Sequence, residues 1–142
     1  MKTILLYYSF MGSTKIEAEK IAEETCAVLC RIEEEKATNM LKAFIFGCPH
    51  ALKRKAERIK PIQYELKSFD KIIIGAPVWA GFPAPVFNSI VQALPPGKEI
   101  ELFFCSGGGS TPKSKQGTID FLESKECKVL SYKDICTRIK KY

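Results

Sequence analysis

Ser9, Phe10, Met11, Gly12, Ser13 and Thr14 place hydroxyls and a glycine directly after the apolar run Ile4, Leu5, Leu6, Tyr7 and Tyr8. β-Branched and aromatic side chains in such a run predict a buried parallel strand, with both tyrosines packed in the sheet. A helix that starts at Ser13 or Thr14 presents unpaired N–H groups and a partial positive charge at its first turn. The hydroxyl-rich turn is therefore a ready phosphate site. Thr14 followed three residues later by Glu17 matches a capping box, which satisfies two of the free N–H groups.

Two further loops have composition suited to ligand contact. Residues 71–76 form an apolar strand that leads into Pro77, Val78, Trp79, Ala80, Gly81, Phe82, Pro83, Ala84 and Pro85. Three prolines and a glycine predict a stiff loop without regular structure, with Trp79 free to meet a ligand. Residues 100–105 form another strand, followed by Ser106, Gly107, Gly108, Gly109, Ser110 and Thr111. Adjacent glycines let backbone approach a ligand closely.

The elements that position these loops follow from periodicity. Ala18, Ile21, Ala22, Thr25 and Leu29 mark an amphipathic helix, and residues 30–35 a charged edge strand. Residues 40–46 predict a short helix ended by Gly47 and Pro49, and the lysine-rich stretch up to Pro61 carries no clear pattern. Pro85 opens a helix bearing Val86, Phe87, Ile90, Val91 and Leu94, stopped by Pro95, Pro96 and Gly97. Thr118, Ile119, Phe121 and Leu122 mark another helix, residues 128–132 a last strand, and the remainder a short C-terminal helix.

Strands thus alternate with helices, which predicts an α/β fold: a doubly wound, five-stranded parallel sheet with helices on both faces. In such a sheet ligands bind beyond the carboxyl ends of the strands, where strand order reverses. The three loops follow the first, third and fourth strands and meet at that edge. Together they describe a site for a flat, phosphorylated ring system.

Composition narrows the function classes. A chain of 142 residues with 46% hydrophobic and 27% charged residues suits one soluble domain. The opening Met1, Lys2 and Thr3 pass straight into a strand, and no apolar run approaches the roughly 20 residues of a membrane span, so a cytoplasmic protein without membrane insertion is expected. Cys26, Cys30, Cys48, Cys105, Cys127 and Cys136 include no Cys-x-x-Cys pair, and His50 is the single histidine. Small buried thiols, and neither a disulfide scaffold nor a metal site, are expected. The positive residues behind the formal charge of +6 fall in residues 53–60 and the C-terminus, opposed by an acidic run from Glu17 to Glu35, and no interleaved aromatic stripe accompanies them. Nucleic-acid binding is not expected; a solvated surface or an acidic partner is.

These motifs resemble those of the flavodoxin family, specifically its short-chain, FMN-binding members. Ser9, Gly12 and Thr14 match the family's phosphate loop in register. Gly75, Pro77 and Trp79 match its Gly-x-Pro-x-Trp element, and Ser106, Gly107, Gly108 and Gly109 its glycine-rich flavin loop. The resemblance covers nearly the whole chain, less clearly between Arg31 and Leu66, and implies strand order 2-1-3-4-5 with FMN as cofactor. It implies hydroxyl or backbone hydrogen bonds from Ser9, Ser13 and Thr14 to the FMN phosphate, the N–H of Met11 beside them, and a close turn at Gly12. Trp79, with Pro77 and Val78, would lie against the isoalloxazine. The backbone of Ala80, Gly81, Gly107 and Gly108, with Ser106 and Gly109, would face its polar edge.

The implied function is electron transfer between a reductase and an acceptor enzyme, by a monomer or weak dimer with no catalytic acid, base or nucleophile. The alternative is an FMN-dependent oxidoreductase acting on a quinone, a flavin or a protoporphyrinogen-like substrate. A third is a binding module that holds FMN weakly. Three departures stand out: Met11 replaces the family's middle hydroxyl, no aromatic residue joins the triglycine loop, and the surface is basic where the family's is acidic.

Overall fold

The computed structural model describes residues 1–137. Five parallel strands form the sheet: β1 (Thr3–Tyr7), β2 (Val28–Arg31), β3 (Lys71–Trp79), β5 (Glu99–Ser106) and β6 (Lys128–Cys136). They run in the order β2-β1-β3-β5-β6, and the two-residue β4 (Phe82–Pro83) pairs antiparallel with β3. Apart from that short addition, this is the order the resemblance implied.

Alternation along the central strands divides the core between two faces. Ile4, Leu6, Ile72, Ile74, Ile100, Leu102 and Phe104 pack on one side with Phe87, Ile90 and Val91 of α4 (Pro85–Ala93) and Leu122 of α5 (Lys115–Glu123). Leu5, Tyr7, Ile73, Phe103 and Cys105 pack on the other with Ala18 and Ala22 of α1 (Ser13–Thr25). The α1 contacts are small residues, so this second face is thin. Phe103 fills it: Gly75 lies opposite Phe103 in the ladder, and a Cβ at Gly75 would stand 2.0 Å from the ring.

Four local expectations are corrected. The second strand comes earlier than residues 30–35, and Glu34 forms an isolated bridge with Ile59 instead. The helix expected to end at Gly47 continues through α2 (Met40–Lys42), a π-helical turn (Ala43–Gly47) and α3 (Cys48–Leu52). Pro49 stands directly after the π-helical turn, at the start of α3, where the continuous helix changes its hydrogen-bond spacing. The stretch from Pro77 is a β-hairpin, not an irregular loop: Trp79 faces Phe82 across a turn at Ala80 (φ 53°) and Gly81 (φ 85°). Two consecutive positive φ values form the turn whose twist matches a hairpin.

The last strand runs to Cys136, because β5 offers it a ladder as far as Ser106. What remains of the C-terminal helix expectation, residues 138–142, lies outside the described residues. No helix among the described residues is long and apolar enough to cross a membrane.

The contact between Gly75 and Phe103 gives a direct test of the packing. Gly75→Ala drives a methyl into a ring that is 1% exposed, an overpacking cost of ~2–3 kcal/mol. Urea unfolding should show that loss; a change below ~0.5 kcal/mol would contradict the packing described.

Candidate functional site

The carboxyl ends of β1, β3 and β5 open into a cavity of about 310 Å³. At its base, the chain leaves β1 and turns into α1 through Gly12, whose φ of 96° a side chain would resist. The expected capping box does not form, and Ser9 caps the helix instead. Its Oγ accepts from the N–H groups of Gly12 and Lys15, both at 3.2 Å. Thr14 sits at the second helical position and does not cap the helix; its hydroxyl favours the Cys105 thiolate, against burial.

Of the four amides at the helix start, two are therefore used. The N–H groups of Ser13 and Thr14 have no acceptor among the described residues. Ser13 and Thr14 both line the cavity, so these two donors stand at its floor, at the positive end of the helix dipole.

The wall between β3 and β5 is also built by named contacts. The Ser106 hydroxyl accepts from the Gly109 N–H at 2.9 Å, while its carbonyl accepts from the Thr137 N–H at 2.9 Å. Gly109 has φ 72°, and a Cβ there would meet the Cys136 Cβ at 2.8 Å, so both conformation and space demand glycine. Further on, Thr111 is pinned by the Tyr132 hydroxyl at 2.6 Å and the Asp134 carboxylate at 2.7 Å. Burial pushes the Tyr132 phenol above its ordinary value, so at neutral pH it remains a hydroxyl that can bridge.

Trp79 sits at the end of β3, and its ring is partly packed against protein. Phe10 meets it edge-on at 5.4 Å and Tyr8 at 6.2 Å, and a Cβ at Gly47 would come within 2.5 Å of it. The Tyr8 hydroxyl in turn donates to Glu34 at 2.8 Å. Trp79 was expected on an irregular loop; it stands instead at a strand end, partly packed against protein, and lines the cavity.

Among the residues singled out from sequence, Met11, Ser13, Thr14, Pro77, Val78, Trp79, Ser106 and Gly107 line the cavity. Ser9 lies beneath it as the helix cap, and Gly12 forms the turn. Ala80, Gly81, Gly108 and Gly109 do not line it. Gly81 is occupied elsewhere, its carbonyl accepting from the Ser114 hydroxyl at 2.7 Å.

Sequence reasoning missed Phe10, Met40, Ala43, Phe44, Cys48, Cys105 and Thr137, which also line the cavity. The signal for Met40, Ala43 and Phe44 was the apolar run at 40–46 itself. Arg54 was missed as well. Its guanidinium donates to the Thr118 hydroxyl and the Ser114 carbonyl, both at 3.0 Å, and lies 5.3 Å over the Phe82 ring. It ties the stretch after α3 to the start of α5 and to the hairpin that carries Trp79. A Cβ at Gly117 would stand 2.9 Å from this guanidinium, so glycine there lets the side chain lie close against α5.

The chemistry of the lining is limited. Among the described residues it holds no carboxylate, imidazole, ammonium or guanidinium. Burial pushes the Cys105 thiol up to about 11, against the hydrogen bond with Thr14, so it stays protonated at neutral pH. An anion at the floor and an apolar ring above it fit this lining.

Behind Trp79, burial holds the Glu34 carboxyl above its ordinary 4.5; the Tyr8 hydroxyl opposes this and the Glu57 charge adds to it. The native carboxyl therefore holds its proton more tightly than the unfolded one. Its contribution to stability is full below pH 4.5 and is lost as pH rises through the native value. Glu34→Gln should flatten that segment of the stability–pH curve; an unchanged slope would contradict it. Gly47→Ala should shift the emission of Trp79, the single tryptophan, and cost ~1–3 kcal/mol in denaturant unfolding. An unchanged spectrum would contradict the contact.

By sequence, no family model and no curated protein matches the chain. Solved structures do match it. A flavoprotein from Lactobacillus acidophilus NCFM, crystallised in complex with FMN, is 26% identical, with a TM-score of 0.77 over 92% of this chain and 91% of that one. The apo form of the flavoprotein from Lactobacillus acidophilus NCFM, solved by NMR, is 24% identical, with a TM-score of 0.70 over 94% and 92%. A flavodoxin, WrbA-like protein from Agrobacterium tumefaciens is 19% identical, with a TM-score of 0.57 over 89% and 74%. With the strand order and the position of the cavity, these likenesses establish that the chain has the flavodoxin-like fold.

Proposed function

We propose that this chain is an FMN-binding flavoprotein that carries electrons between a reductase and an acceptor. The observation that carries the reading is the pair of Ser13 and Thr14 N–H groups, left without acceptors at the floor of an apolar cavity at the switch between β1 and β3. A phosphate is the ligand group such a pair fits. The likeness to the flavoprotein crystallised with FMN supports the choice of cofactor.

Bound there, FMN would supply the electron chemistry. The chain's own residues bind and orient it. Ser13 and Thr14 would hold the phosphate by their amides, and Ser9 keeps those amides aimed by satisfying their neighbours. Pro77, Val78 and Trp79 would flank the ring on the β3 side, with Ser106 and Gly107 on the β5 side. The carrier reading asks the lining only to hold and orient the flavin, whose own chemistry moves the electrons.

Ser13→Glu sets a carboxylate against the phosphate at a half-exposed position that folding does not need buried. FMN affinity, read by quenching of flavin fluorescence, should fall by about 100-fold through like-charge repulsion, while riboflavin affinity stays near wild type. Equal effects on both ligands would sink the phosphate assignment. Rapid turnover of NAD(P)H and a quinone by the purified holoprotein would instead favour the oxidoreductase reading.

A further inference from the structure

Residues 40–52 are built inside out. The side that meets the protein is small: Ala43, Gly47 and Ala51, spaced four apart, are buried. The large apolar residues of the same stretch face solvent. Phe44 is 78% exposed, and Met40, Leu41, Ile45, Phe46 and Leu52 are each about half exposed or more. A surface helix normally shows the reverse arrangement, with its large apolar side chains on the core. The exposed charge on the stretch itself is positive, from Lys42, Lys53 and Lys55, while Glu34 and Glu57 lie at its edge beside Lys36, Lys42 and Phe46.

We propose that this stretch docks the protein on an anionic lipid surface, with Leu41, Phe44, Ile45 and Phe46 sunk to the acyl boundary and the lysines against lipid phosphates. An apolar ridge rimmed by lysines is the composition of an interfacial helix. The exposed apolar positions 40, 41, 44, 45 and 46 spread over a broad convex arc, not a narrow seam. A fluid interface covers such an arc without a matching groove, whereas a protein partner must supply one.

Docking would also orient the molecule. Met40 and Phe44 line the 310 Å³ cavity together with Met11, which is itself 72% exposed. The cavity mouth would therefore face the bilayer, within reach of an apolar electron acceptor dissolved in it. That orientation rests on the proposed function; the docking itself rests only on the protein's surface.

The test is co-sedimentation of the full chain with phosphatidylcholine vesicles, with and without phosphatidylglycerol, in the presence and absence of FMN. Binding to the anionic vesicles alone is expected, weakened by salt. Lys42→Ala should weaken it about fivefold. The double variant Phe44→Ser with Phe46→Ser should weaken it by more than about tenfold, with an unchanged circular dichroism spectrum. Phe44→Trp should add an emission band that brominated acyl chains quench. Absence of binding to anionic vesicles overturns the proposal, as does a double variant that binds like wild type. A chain that ignores vesicles but self-associates through Phe44 and Phe46 overturns it in favour of a second copy as the occupant. Vesicle binding by a chain that fails to bind FMN keeps the docking and removes the flavoprotein reading.

Discussion

One hydroxyl decides what the amino end of α1 can do. Ser9 accepts from Gly12 and Lys15 at once, which satisfies the outer pair of the four orphan amides and leaves the inner pair, on two residues that line the cavity, without an acceptor among the described residues. The division depends on β1 being central and immobile. Ile4, Leu5 and Leu6 are fully buried between β2 and β3, so the strand delivers Ser9 to a fixed place.

The opposite side of the cavity is assembled from a long excursion between β2 and β3. Residues 40–60 reach it by way of a π-helical turn and are then clamped by polar contacts to the helices beneath. Arg54 holds the Ser114 carbonyl and the Thr118 hydroxyl, the Asn88 amide donates to the Lys55 carbonyl at 3.1 Å, and the Ser89 hydroxyl accepts from the Glu57 N–H at 2.9 Å. Few large side chains secure the excursion, because its buried positions are Ala43, Gly47 and Ala51. Small residues there let the backbone close down on Trp79. They also leave the large residues outside, which is the origin of the lipid-docking surface.

Much of this fold was legible in the sequence because its strands are continuous apolar runs and its switch-point loops carry unusual composition. The meeting of the loops after β1, β3 and β5 at one edge follows from those two signals, while the strand order was implied by the family resemblance. What escaped were features fixed by tertiary partners. The hairpin at Ala80 and Gly81 was hidden by prolines that suit its short edge pairing. The cap on α1 comes from Ser9, four positions before the helix, in place of the local Thr14 and Glu17 pattern. The helix runs on through Gly47 and Pro49 by way of a π-helical turn, with Gly47 packed against the Trp79 ring. The unpatterned lysine-rich stretch proved to include Arg54, whose partners are about 60 residues away.

The account turns on whether the two inner amides of α1 receive a phosphate. An amide-resolved NMR titration of the chain with FMN observes them directly. The Ser13 and Thr14 amide resonances should move downfield and saturate at one equivalent of FMN, with inorganic phosphate moving the same two resonances at higher concentration. Saturable FMN binding that leaves both resonances in place, or no binding at all, would contradict it.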